Sequence, residues 1–540
     1  MQGTMMRYPL TLTHLLERAR RLFPEKEILS KTPEGLHRTS YAELYVRAKK
    51  LAQALEKIGV RRGERVATFA WNTHRHLELY LAVPAYGAVL HTLNIRLFPE
   101  QIAFVVNHAK DAVVFVDPDL VSQLESLAPK LETVRLYVTL SEEVPDGTRL
   151  RPVRAYEELL AENDGDVSFP DLDENEAAGM CYTSGTTGNP KGVAYSHRAL
   201  VLQCFAQAMA DSFGIRESDV VLPIVPMFHA NAWCLPYAAT MVGATQVYPG
   251  PHPTPEDILS LVEEHRVTVT AAVPTVLLGL LSVLEKKSYD LSSLRCVPCG
   301  GSAVPASLIE RFDRLGVEVV QAWGMTETSP LATVSVPRSF MRGWPKEKLL
   351  AVRAKQGVPV PWVETRVVDD AGNELPWDGK SVGELQVRGP WVVGEYYEDP
   401  RSQEAFQDGW FKTGDVAHID RYGYVQITDR AKDVIKSGGE WISSVELENA
   451  IMSHPDVLEA AVIGLPHPRW QERPLACVVP KPGKTLTKES ILEHLRPRVA
   501  KWWLPEDVVF LESIPKTSVG KFAKRELRER FRDYRWPDRG

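Results

Sequence analysis

Apolar and polar positions along the chain switch repeatedly between a period near two and a period near three and a half. Ser40-Tyr41-Ala42-Glu43 forms a capping box, and Leu44, Ala48, Leu51, Leu55 and Ile58 then follow at helical spacing, with Gly59 as the C-cap. The pattern next predicts a strand over Arg65–Trp71, a helix over His74–Val89 and a strand over Ala112–Asp117. Strands alternating with helices predict mainly parallel sheets covered on both faces. This texture continues to about residue 340. It then gives way to the short strand-like runs "ETRVVDDAGNELP", "GELQVRGP" and "YGYVQITDR", which predict an antiparallel sheet or small barrel packed on the α/β core. From Asp433 onward helix and strand patterns return as a small α+β unit. The expected fold is therefore α/β, with a large N-terminal domain of parallel-type sheets, a small antiparallel β subdomain and a small C-terminal domain.

The longest uncharged apolar run, Val267–Leu284, nearly reaches the length of a bilayer span. Alternating Thr residues in its first half and Pro274 in its middle make it a strand, a turn and a helix start, so no transmembrane segment is expected. The N-terminus lacks a continuous apolar stretch, which argues against secretion and for the cytoplasm.

Composition narrows the classes. The 540 residues are 44% hydrophobic and 25% charged, ordinary for a globular protein. The net charge, 63 − 70 = −7, lacks the basic footprint of a nucleic-acid binder. Six cysteines are too few for a disulfide scaffold, and the Cys296/Cys299 pair has neither a second ligand pair nor a helix N-terminus beside it. The basic stretch Lys521–Gly540 is expected to be a solvated helix face, with an anionic ligand or surface as the alternative.

The most specific segment is Tyr182–Gly192, "YTSGTTGNPKG". Thr183, Ser184, Gly185, Thr186, Thr187 and Gly188 combine hydroxyls with backbone that can approach closely, and Lys191 adds positive charge, a composition suited to phosphate oxygens. It is not a Walker A loop, since no Gly-Lys-Ser/Thr falls in the required frame. Four further motifs follow in order: "WGMTE" from Trp323, "GWFKTGD" ending at Asp415, "DRAKD" containing Arg430, and "PKTSVGK" ending at Lys521. Singly, each is equally a charged or capped loop.

Together, in this order, these motifs resemble the ANL superfamily of adenylate-forming enzymes, from about residue 10 to 530. "PMFHANAWCLPY" and "IKSGGEWISSVELE" look most like the medium- and long-chain fatty acyl-CoA synthetases of that superfamily. The resemblance implies that a carboxylate joins ATP to give acyl-AMP and pyrophosphate, and that the acyl group then passes to CoA. It implies that Thr183–Gly188 and Lys191 hold phosphates, and that Thr183 and Glu327 engage Mg²⁺. Gly301, Ser302, Ala303, Gln321, Ala322, Trp323, Gly324 and Thr326 would border the nucleotide. Trp323 stands where Tyr is commoner. Asp415 and Arg430 would serve the ribose, and Lys521 would bridge carboxylate and phosphate as a catalytic cation. Residues 1–431 would form the N-terminal domain and 433–540 a mobile C-terminal domain turning about Lys432. That rotation would bring Lys436, Gly438, Gly439 and Trp441 toward nucleotide or CoA. His229, Ala230 and Trp233 would line the acyl site. Amino-acid-activating relatives carry Phe-Asp where this chain has Phe228-His229, so a substrate ammonium would lack its counter-charge.

Other readings stay open at this point: a short-chain or aryl acid–CoA ligase, a carrier-protein-loading adenylating enzyme, a luciferase-like oxygenase, or a non-enzymatic nucleotide-binding protein. A homodimer is expected by analogy with related synthetases.

Overall fold

The computed structural model describes residues 1–183, 189–430, 433–437, 440–517 and 522–536. Five sheets organise these residues. The first has seven strands, in the order Val153–Ala155, Leu136–Thr139, Asp111–Val116, Arg65–Phe69, Val89–Thr92, Ala177–Tyr182, Gly192–Ser196. All its pairings are parallel except the last, where the strands flanking the Gly/Thr-rich loop run antiparallel. The second has five strands, with Val269–Ala271, Val220–Pro223, Thr245–Tyr248 and Glu27–Thr32 parallel and Gly35–Ser40 closing one edge as a hairpin.

The capping box is present as expected. Ser40 accepts from Glu43 N, Glu43 reaches back to Ser40 N, and the helix Tyr41–Lys57 buries Leu44, Ala48, Leu51 and Leu55. The helix predicted over His74–Val89 stops at Tyr86, because Gly87 takes the left-handed conformation at φ 94°. Val89–Thr92 is a fully buried strand that the sequence pattern did not predict, overlapping the expected helix only at Val89. The helix itself buries all but two of its thirteen residues, as its position in the core demands. Val267–Leu284 resolves into the strand Val269–Ala271 and the helix Pro274–Leu284, with Pro274 in its first turn. No helix among the described residues is long and apolar enough to cross a membrane.

A four-stranded sheet carries Val297–Cys299 and Val319–Gly324 in parallel, then Leu331–Val334 and Val358–Pro359 antiparallel. Cys296 and Cys299 are buried free thiols here, and burial pushes the Cys296 thiol up to about 12, so neither is a poised thiolate. The antiparallel region is a five-stranded sheet built on Glu364–Val368, Gly383–Arg388, Trp410–Ile419 and Val425–Arg430, with the short Phe406–Gln407 at its edge.

After Arg430 the chain leaves that sheet, and Ile435–Ser437 starts another. Gln471–Pro480 lies at its centre, flanked by the long antiparallel Val457–His467 and the parallel Asp507–Phe510. The basic C-terminal stretch departs from expectation. In its helix Lys524–Arg530, Lys524 is buried against Glu448 at 2.7 Å and donates to Ser444 Oγ at 2.6 Å, while Arg528 pairs with Asp433 at 2.7 Å. Two of its cations therefore serve internal acids, which charge counting along the sequence could not reveal.

Candidate active site

The Gly/Thr-rich segment hangs between the antiparallel strands Ala177–Tyr182 and Gly192–Ser196. Its neck is closed by two hydrogen bonds: Thr183 N donates to Lys191 O (2.9 Å), and Lys191 N donates to Thr183 Oγ1 (3.1 Å). Ser184–Gly188 lie outside the described residues. Below the neck, Tyr182 donates to or accepts from His108 Nδ1 at 2.7 Å. Its ring fills the space over Gly192, where an added Cβ would stand 2.9 Å from Tyr182 Cζ. A larger residue at 192 would force that ring to shift.

The strand Val319–Gly324 delivers the next group. Trp323 is its last residue but one, and its indole N–H donates to Asp415 Oδ2 at 3.0 Å. Asp415 faces Arg430 directly across the hairpin Trp410–Ile419/Val425–Arg430, and Arg430 Nε lies 2.7 Å from Asp415 Oδ1. Asp415 is almost fully buried, and its carboxylate raises the Arg430 pKa. Trp323, expected to offer a stacking face, thus also braces the acid through its N–H.

Glu327 sits in the short turn Thr326–Thr328, 6% exposed. Burial pushes its carboxyl pKa up, opposed by the Tyr396 hydroxyl, which donates to Oε1 at 2.8 Å. Lys191 Nζ lies 4.3 Å from the centre of that Tyr396 ring. The two motif charges therefore meet through a residue that the motifs did not single out. The available signal was the aromatic pair in "GEYYEDP".

Several residues expected at the nucleotide site also make contacts that hold backbone in place. Gln321 is buried, and its Oε1 accepts from Val304 N at 3.2 Å, which fixes the strip Gly301, Ser302, Ala303. Ala322 O stands 2.5 Å from where a Cβ on Gly300 would be. At Gly324 a Cβ would lie 1.7 Å from Pro330 O, so this glycine answers to packing inside the turn. Thr326 accepts the Tyr195 hydroxyl at its carbonyl (2.9 Å).

His229, Ala230 and Trp233 lie on an unusual segment. Ala230 to Cys234 are five consecutive non-glycine residues at positive φ, 43°, 54°, 49°, 54° and 61°. A left-handed turn costs roughly 1–2 kcal/mol per residue, so the surroundings must impose it. Gln207 does so by donating to Trp233 O at 2.7 Å, and Asn231 is wholly buried against Cys181. Ala230 is 4% exposed, packed inside, whereas Trp233 is half-buried with its ring tip 3.7 Å from a Cβ position on Gly300. Trp233 thus adjoins Gly300, just before the strip Gly301–Ala303. His229 is half-buried at the start of the turn.

In the C-terminal part, Lys436 and Trp441 are paired across the hairpin Ile435–Ser437/Glu440–Ile442. Lys432, Gly438, Gly439 and Lys521 lie outside the described residues.

The neck of the Gly/Thr-rich loop with Lys191 and the Asp–Arg–Trp cluster with Arg430 therefore lie on either side of the buried Glu327 carboxylate, which feels both cations, and residues 16–397 match the AMP-binding enzyme family. The chain belongs to the AMP-binding enzyme family. Residues 446–521 match the C-terminal domain of the same enzymes. A long-chain-fatty-acid–CoA ligase of Thermus thermophilus is 52% identical, covering 98% of this chain and 97% of the relative. A 3-methylmercaptopropionyl-CoA ligase of Ruegeria pomeroyi is 46% identical, covering 99% of both. Among solved structures, an anthranilate CoA ligase in complex with anthranoyl-AMP superposes with a TM-score of 0.87 at 25% identity, covering 97% of this chain and 98% of the other. The α/β architecture with a large N-terminal part, a small antiparallel sheet and a C-terminal part is that of these adenylating enzymes.

Proposed function

We propose that this protein is an AMP-forming fatty acid–CoA ligase. The observation that carries the reading is the clustering of Lys191, Trp323, Asp415 and Arg430 around Glu327, in a chain 52% identical to a long-chain-fatty-acid–CoA ligase. In the first step an oxygen of the fatty carboxylate attacks the α-phosphorus of ATP. The new O–P bond forms as the bond to pyrophosphate breaks, leaving acyl-AMP. In the second, the CoA sulfur attacks the acyl carbon and AMP departs.

Asp415, held by Arg430 and Trp323, presents a fixed acceptor for the ribose hydroxyls. Lys191 and the loop 184–188 hold the β- and γ-phosphates, so that the leaving pyrophosphate departs in line. Lys521 bridges carboxylate and phosphate oxygens as charge develops. The donor set fits Mg²⁺. Glu327 is a buried carboxylate whose desolvation a cation would offset, Thr183 adds a hydroxyl, and a hard cation takes oxygen ligands. Among the described residues no cluster of three His, Cys, Asp or Glu could hold a metal, so substrate phosphates and water would complete the shell. Bound there, Mg²⁺ would neutralise phosphate charge.

We place the domain division at 431/433, with Lys432 as the pivot. The antiparallel sheet ends at Arg430, the next sheet starts at Ile435, and the two family segments match separately. Trp233, beside Gly300, would line the acyl site with His229 and Ala230. A second reading, a ligase for a short thioether acid, is favoured by the Ruegeria pomeroyi relative.

Purified protein is assayed with ATP, Mg²⁺ and CoA against free acids from acetate to stearate, together with 3-methylmercaptopropionate. AMP and pyrophosphate should form only with acid present, and most rapidly with medium or long chains. ADP and phosphate as products would overturn the adenylation mechanism. Preference for the thioether acid would select the second reading.

A further inference from the structure

The segment from Trp391 to Ser402 reaches both sides of the phosphate site. Val393 N donates to Glu327 O at 2.7 Å, and Tyr397 N donates to Gly192 O at 2.9 Å. Arg401, held by Asp399, donates to Asn189 O at 3.3 Å. One segment thus ties the returning arm of the Gly/Thr-rich loop to the turn carrying Glu327. Tyr396 lies at its centre, 5% exposed, its backbone N–H donating to Ser402 Oγ at 2.9 Å and its ring edge-on to Phe411 at 6.4 Å.

Opposite charges at a buried position attract strongly, and a direct Lys–Glu pair would spend both on each other. Here each is engaged by a different part of one phenol. The ring face takes the Lys191 ammonium at 4.3 Å, and the hydroxyl takes Glu327 Oε1 at 2.8 Å. Burial, with the Glu327 carboxylate beside it, pushes the Tyr396 pKa upward, so the phenol remains a donor.

We propose that Tyr396 is a positioning residue that holds Lys191 and Glu327 apart and pre-aimed, the ammonium for nucleotide phosphates and the carboxylate for the divalent cation. This rests on the adenylating function proposed above. The two halves of the side chain make separable contributions. The ring sets affinity for the phosphates through Lys191, and the hydroxyl sets the gain in affinity that Mg²⁺ brings through Glu327.

The test is calorimetric titration of the full-length protein with ATP alone and with ATP plus Mg²⁺, for wild type, Tyr396→Phe and Tyr396→Leu, each checked for folding by thermal melting. Tyr396→Phe should bind ATP alone like wild type while its Mg²⁺-dependent gain falls on the order of 10- to 100-fold, the worth of one hydrogen bond to a charged group. Tyr396→Leu should lose that gain and also bind ATP alone about 3- to 30-fold more weakly, as a cation–π contact is removed. Tyr396→Met replaces Leu if Leu fails to fold. A Phe variant that keeps the full gain, or one that weakens ATP alone and Mg²⁺-ATP equally as a merely structural defect would, overturns the inference. A wild type showing no gain with Mg²⁺ overturns the adenylating function and this inference together, whereas a normal wild type with an unaffected Phe variant overturns this inference alone.

Discussion

Asp415→Asn changes one oxygen to an amide nitrogen at a position where both carboxylate oxygens are committed, one to Arg430 at 2.7 Å and one to Trp323 at 3.0 Å. Both partners are donors, so the new –NH₂ must face a donor whichever way the amide turns. Arg430 also loses its counter-charge, since Asp415 is the first cause of its raised pKa. If the carboxylate also accepts the ribose hydroxyls, the variant loses a charged acceptor for the nucleotide. Such a hydrogen bond is worth about 1.5–3 kcal/mol, so the KM for ATP in acid-dependent ATP–pyrophosphate exchange should rise roughly 10- to 100-fold. A local packing defect would also raise KM, so the assay is repeated with 2′-deoxy-ATP, which lacks one of the hydroxyls in question. Wild type should lose affinity for the deoxy analogue, whereas Asp415→Asn should discriminate far less between the two nucleotides. An equal loss of the variant on ATP and 2′-deoxy-ATP would refute the ribose assignment and leave Asp415 as a brace for Trp323 and Arg430.

Lys521→Ala should slow adenylation by about 10²–10³, the usual effect of removing one group that stabilises developing charge, while thioester formation from supplied acyl-AMP suffers much less; equal losses in both half-reactions contradict the role. Lys432→Pro fixes φ near about −65° and should retain acid-dependent pyrophosphate release but lose acyl-CoA formation, whereas Lys432→Ala keeps both; identical behaviour of the two variants would move the pivot elsewhere. Gly324→Ala places a Cβ 1.7 Å from Pro330 O, so the strand end must shift. The expected destabilisation of about 1–3 kcal/mol is read from denaturant unfolding. Asp117 is buried, accepting from Trp71 N at 2.6 Å, and burial raises its carboxyl from 3.8 to about 7. The folded state therefore holds a proton that the unfolded state has released, and stability falls as pH rises from about 4 to about 7. Asp117→Asn should flatten that slope by up to about 1.4 kcal/mol per pH unit, measured by unfolding across the window.

What the sequence by itself determined was local or compositional. The capping box at Ser40, the strand–turn–helix of Val267–Leu284 and the antiparallel strands after residue 360 are written in spacing and turn chemistry that neighbours a few positions away enforce. The motif set announced the family because its loops carry their chemistry in short, ordered runs. The tertiary structure decided what depends on burial and on distant partners. Val89–Thr92 became a strand because it pairs between two sheet neighbours that bury even His91 and Thr92, polar positions that four residues of sequence cannot mark as internal. Lys524 became an internal cation because Glu448, far away in the chain, is buried beside it. That Gln321 and Gly324 also brace and pack their turns depends on Val304 and Pro330 closing on them. Tyr396 carries no motif chemistry of its own. It becomes a link only because folding sets its ring against Lys191 and its hydroxyl against Glu327, an arrangement that exists in three dimensions and in no stretch of the sequence.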